Sequence, residues 1–85
     1  MTPDEFLGAL MGNLIKAKNK FPDQYVWPDA DVLEVFRRFA DSLRSGTYSR
    51  HCHAIKWTCR DLKIKNDRAS IDAVFANEIN ERKCL

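Results

Sequence analysis

An all-α fold, a compact bundle of four helices, is what this sequence predicts. Three observations point there. Apolar residues recur at helical intervals, and no run of strict alternation marks a strand. The borders of the periodic stretches carry helix start and stop chemistry, Thr2-Pro3-Asp4-Glu5 at one end and Gly46 at another. The connections are short, as between neighbouring helices of a bundle. At 85 residues the chain is one domain, 1–85, with one core and room for one binding face. A composition 45% hydrophobic and 31% charged is that of a folded protein rather than a disordered one.

The first helix starts where Thr2 caps, Pro3 takes the first helical position and Glu5 completes a capping box. Apolar residues at 6, 7, 10, 11, 14 and 15 form its core stripe. Gly8 and Gly12 are spaced for the close approach of a neighbouring helix. Residues 21 to 28 form a connector with turn chemistry at Pro22-Asp23 and Pro28-Asp29. Its aromatics Phe21, Tyr25 and Trp27 are expected to fold back as a lid, because leaving one in water forfeits about 2 kcal/mol of burial.

A second helix is expected from Asp29 to Ser45, ended by Gly46. Its wide stripe of Val32, Leu33, Val35, Phe36, Phe39, Ala40 and Leu43 predicts the most buried element. Ser49 is the expected N-cap of the third helix, with Tyr48 before it as a hydrophobic staple. Cys52, Ile55, Cys59 and Leu62 then face inward, at spacings of 3, 4 and 3. Asn66 or Asp67 caps a fourth helix from Arg68 to Arg82, with Ile71, Val74, Phe75 and Ile79 inward.

The net charge is +2, yet its distribution is uneven. Between Arg44 and Arg68 there are seven bases and two acids, whereas the flanking segments are slightly acidic. Three cysteines at 52, 59 and 84 suggest no disulfide framework, and no stretch approaches the apolar length of a membrane span. Asp4 and Glu5 stand where a signal peptide would carry bases, and neither terminus has a lipidation pattern. The expected setting is therefore a reducing cytoplasm, without membrane association.

His51-Cys52-His53 followed by Cys59 gathers metal-ligand types within nine residues. Successive helical residues point about 100° apart, so three in a row do not converge on one ion. Cys52 and Cys59 stand two turns apart, about 10 Å, too far for one tetrahedral zinc site. No metal or other cofactor is expected. There is no phosphate loop, nucleophile elbow or H-E-x-x-H, and no catalytic residue is assigned; the chain reads as a non-enzyme.

What the third helix turns outward is more informative. With 52, 55, 59 and 62 inward, Arg50, His53, Trp57 and Arg60 face out, flanked by Lys56 and Lys63 and followed by Lys65. Tryptophan and arginine are common interface hot spots, and an aromatic face among cations also suits nucleic acid. These seven residues are the candidate partner-binding surface. The competing expectation for Trp57 is burial against the first helix or the Tyr25–Trp27 loop. The C-terminal half also has the outline of a helix-turn-helix, which makes a DNA-binding regulator the alternative function. Helix four exposes Asp72, Asn77, Glu78 and Glu81, poor chemistry against phosphates; only Arg68 and Ser70 suit DNA.

His53-Ala54-Ile55-Lys56, Thr58-Cys59-Arg60, Leu62-Lys63-Ile64-Lys65 and Ala69-Ser70-Ile71 together resemble a stretch of small accessory proteins, themselves uncharacterised, of phages and mobile elements. The resemblance covers about a third of the chain and carries over no functional residue. It implies a cytoplasmic accessory protein of the host cell, acting on host machinery or phage nucleic acid. Anti-CRISPR inhibitors are similar in type, through small size and lack of catalytic motifs. The leading expectation is thus an inhibitor that occupies a host protein or nucleoprotein complex. Nucleic acid itself and a second copy, in a homodimer, are the other partners considered.

Overall fold

The computed structural model describes residues 1–83, all but residues 29 and 81–83 with their side chains. It is all-helical, with no strand among the described residues. The helices are α1 (Pro3–Lys20), α2 (Val32–Ser45), α3 (His53–Leu62), α4 (Arg68–Val74) and α5 (Ala76–Lys83), with a single 3-10 turn at Asp29–Asp31 leading into α2. Among the described residues no helix is long and apolar enough to cross a membrane.

Helix α1 opens as its sequence predicts. Thr2 is extended, and its hydroxyl accepts from the Glu5 backbone N–H at 3.2 Å. Its buried residues are Phe6, Leu7, Leu10, Asn13, Leu14 and Ala17. This is a truer 3.6-residue period than the expected 6, 7, 10, 11, 14, 15 stripe. Asn13 turns in, and Ile15 turns out to 44% exposure. Gly8 and Gly12 do not admit a neighbouring helix. Both are exposed, and an added Cβ at either would meet nothing within 4 Å.

The most buried element is α1, not α2. Helix α1 lies along α3 and also touches α2, whereas α2 buries only Ala40 and Leu43 fully. Its apolar stripe is wider than the surface its neighbours cover, so Leu33 is left 53% exposed. The α2 C-terminus follows expectation: Gly46 is left-handed at φ 74°, and the Thr47 N–H reaches the Ser42 carbonyl. Arg44 Nε pairs with Glu78 Oε2 at 2.8 Å and ties α2 to α5.

Three expected boundaries shift. Helix α2 starts at Val32, after the 3-10 turn, rather than at Asp29. Helix α3 begins at His53, with Cys52 rather than Ser49 at the N-cap. Ser49 instead closes a turn: its hydroxyl accepts from the His51 N–H and its carbonyl from the Cys52 N–H. Tyr48 is no staple. It is buried, its hydroxyl donates to Asp72 at 2.6 Å, and its ring lies 4.5 Å under the Arg68 guanidinium. The expected fourth helix is capped by Asp67, whose carboxylate accepts from the Ser70 N–H at 2.7 Å. It then breaks at Phe75, whose N–H bonds back three residues to Asp72. Tertiary contacts draw in both ends of this break: Tyr48 holds Asp72, and the Phe75 ring meets Phe6 edge-to-face at 5.5 Å. The bundle thus has a short jointed pair where one helix was expected.

The core joins Phe6, Leu10 and Leu14 of α1 to Leu43, Ile55, Cys59, Ile71 and Phe75. Cys59 is packed as a small hydrophobe, and burial pushes its thiol pKa up, which keeps it protonated and unreactive. Cys52 and Leu62, also expected inward, are only half-buried. Cys84 lies outside the described residues. Among the described residues no three of His, Cys, Asp or Glu gather as metal ligands do.

Candidate functional site: the seam between α1 and α3

Contacts fix how α1 and α3 run. Asn13 meets Thr58 and Asp61, Lys20 meets Trp57, and Phe21 meets His53. Rising numbers on α1 therefore meet falling numbers on α3, and the two helices are antiparallel. A buried polar cluster sets their register. Asn13 Nδ2 donates to Thr58 Oγ1 at 3.0 Å and to Asp61 Oδ2 at 3.2 Å, and Thr58 Oγ1 donates to the Ala54 carbonyl at 2.7 Å. Sliding α1 by one turn would leave the Asn13 amide buried without partners, a cost of about 1–3 kcal/mol.

The connector closes the other end of the seam, as its aromatics predict. The Phe21 N–H bonds to the Ala17 carbonyl and the Tyr25 N–H to the Phe21 carbonyl, which curls the chain back over α3. Phe21 stacks on the His53 ring at 4.5 Å and 25°. The Tyr25 hydroxyl and His53 Nδ1 are hydrogen-bonded at 2.9 Å, and Trp27 meets Tyr25 edge-on at 5.3 Å. Burial, and then the neighbouring Cys52, raise the Tyr25 pKa. His53 is thus committed to the lid rather than presented to solvent.

Trp57 meets both expectations halfway. It is half-buried, with Phe21 at 6.3 Å and His53 at 5.9 Å on the connector side. On its other side it borders a recess of about 300 Å³ lined by Lys16, Lys20 and Arg60. Lys20 Nζ stands 5.7 Å from the centroids of both the Phe21 and Trp57 rings, a cation–π distance. The Arg60 side chain is 70% exposed and, among the described residues, pairs with the neighbouring Asp61 at 3.6 Å. Asp61 is also held by Asn13.

The seven predicted surface residues therefore separate. Trp57 and Arg60 line the recess; Lys56 and Lys63 are exposed on the outer flank of the same helix. His53 lies under the lid. Arg50 is drawn away: its guanidinium donates to the Asn66 carbonyl, and the Asn66 amide donates back to the Arg50 carbonyl. Lys65 lies in the turn beside Asp67, whose carboxyl is held below the usual range first by hydrogen bonds from Ser70 and further by the Lys65 charge. Sequence reasoning missed Lys16 and Lys20. Their i, i+4 spacing beside the connector was the available signal, but only the antiparallel pairing brings them to Trp57.

The helix-turn-helix outline meets a similar sorting. The turn after α3 is left-handed at Lys63, φ 59°, and α4 has only 7 residues, about 10 Å. Arg68, the best DNA-facing candidate of that helix, bonds instead to the Tyr48 and Gly46 carbonyls.

Comparison with protein-family models, with curated proteins and with solved structures found no match to this chain. The site therefore rests on its own geometry.

Proposed function

We propose that this chain is a small non-catalytic binding protein, of the phage or mobile-element inhibitor type. It acts in the host cytoplasm by occupying a host protein or nucleoprotein complex. One observation carries the reading: Lys16, Lys20 and Arg60 line an open recess together with the half-buried Trp57. Aromatic and arginine side chains at the centre of a basic face are the usual anchors of an interface. The Asn13–Thr58 bond and the aromatic lid hold that face in place before any partner arrives, which lowers the ordering cost of binding. The DNA-regulator alternative draws no support from Arg68, which is spent on the loop before α3.

The test is a pull-down from host lysate with the wild-type chain and with the Trp57→Ala/Arg60→Ala double variant, its helicity checked by circular dichroism. A partner retained by the wild type and lost by the folded double variant supports the reading. Equal capture by both removes it.

A further inference from the structure

We infer that the α1–α3 seam binds single-stranded nucleic acid, with a base on Trp57 and phosphates on the flanking cations. This rests on the seam being the binding face, as proposed above, and names what enters it.

Charge placement is the first argument. Cations line both banks of the seam: Lys16 and Lys20 on α1, Arg60 on α3, with Lys56 and Lys63 beyond it. Residues four apart on a helix are about 6 Å apart along its axis, so Lys16 and Lys20 offer a short row on the α1 bank, with Arg60 on the other. Lys16, Lys56 and Lys63 have no acidic partner among the described residues. The acid of the seam, Asp61, is turned to Asn13 and Arg60.

The ring is the second argument, and it separates nucleic acid from acidic peptide. An aromatic face is electron-rich, so it adds nothing for a carboxylate laid against it. A nucleotide supplies both halves: a π-face for Trp57 and a phosphate for the lysines and Arg60. The recess, about 300 Å³, is at the small end of ligand-sized pockets and suits one splayed nucleotide.

The setting of the ring is the third. Trp57 is half-buried, walled by the lid on one side and bordering the recess on the other. A single strand offers a base face to such a ring at no unpairing cost, whereas a duplex must first be opened.

The experiment is fluorescence anisotropy with the full chain and a labelled oligothymidylate about fifteen nucleotides long, the length of a large single-strand site. Duplex DNA of equal length and poly-L-glutamate serve as competitors. Neutralising about three phosphates predicts a salt slope near −2, or about 15-fold weaker binding between 50 and 200 mM salt. Trp57→Phe should keep most of the affinity, and Trp57→Ala should lose about tenfold or more. Arg60→Glu, at an exposed position, should lose binding while the fold stays intact. Tighter duplex binding, displacement by poly-L-glutamate at equal charge, or no binding overturns the inference. If the oligonucleotide fails while the Trp57/Arg60 double variant still loses its lysate partner, only this inference falls. If both fail, the seam is not the binding face.

Discussion

Two basic regions of this molecule look alike in sequence and behave differently in the fold. Arg50 and Arg68 lie in the same charge-rich third as Lys56 and Arg60. In the structure the first pair is structural. Arg50 locks to Asn66, and Arg68 bridges the Tyr48 and Gly46 carbonyls while stacked on Tyr48. They staple the 46–50 loop to the turn before α4 and to α4 itself. In the second group Arg60 joins Lys16 and Lys20 around Trp57, and Lys56 stays exposed on the outer flank. Cationic sequence alone does not mark a binding surface; what matters is whether backbone carbonyls nearby have already taken the donors.

This contrast can be broken by mutation. The largest expected effect on stability is at Arg68→Ala. Losing two charge-assisted hydrogen bonds, discounted for solvent around the guanidinium, should cost about 1–2 kcal/mol. For a chain of this size that lowers Tm by about 5–15 °C. Oligonucleotide affinity of the folded fraction should stay within about twofold, since Arg68 lies outside the seam. Thermal melts and anisotropy together check both halves. Asn13→Ala comes next, at about 1–2 kcal/mol, because Asn13 is buried and bridges Thr58 and Asp61. It also leaves Arg60, already 3.6 Å from Asp61, without the Asn13 amide as a competitor for that carboxylate, so the pair should tighten and affinity fall severalfold in the same titration.

Lys16→Ala is expected to reverse that balance, with stability within about 0.5 kcal/mol of wild type and a measurably shallower salt slope. The smallest effect on binding is predicted for Lys63→Gly. Lys63 occupies the left-handed cap of α3 at φ 59°, so glycine should gain about 0.5–1 kcal/mol in denaturant melts while removing only an outlying cation. Acid sensitivity gives an independent handle on the structural half. The Ser70 hydrogen bonds hold the Asp67 carboxyl below its ordinary 3.8, so the unfolded chain protonates first. Its contribution is present above that ordinary value and is lost as pH falls through the lowered one. An Asp67→Asn variant should therefore show a flatter decline of stability than the wild type as pH falls below the ordinary carboxyl value of 3.8.

Much of the fold was legible because capping chemistry is local. Thr2, Gly46 and Asp67 end or begin helices where their side chains and φ preferences dictate. What was not legible depended on partners distant in sequence. The Phe75 break follows from Phe6 and Tyr48, with no glycine or proline to announce it. The late start of α3 accompanies the Arg50–Asn66 clasp across 16 residues. Burial of Asn13 follows from Thr58, 45 residues away. The site divided the same way. Trp57 and Arg60 were visible on the outward face of one helix, whereas Lys16 and Lys20 joined them only once the antiparallel pairing of α1 and α3 was known.

The most direct test of this division is an amide chemical-shift titration of the full chain with oligothymidylate. Shifts concentrated at residues 16–21 and 56–63, with residues 46–50 and 66–75 unmoved, are the expected result. Shifts concentrated at Arg68–Phe75 instead would contradict it, placing the binding face on α4 and Arg68 among the cations that meet the ligand.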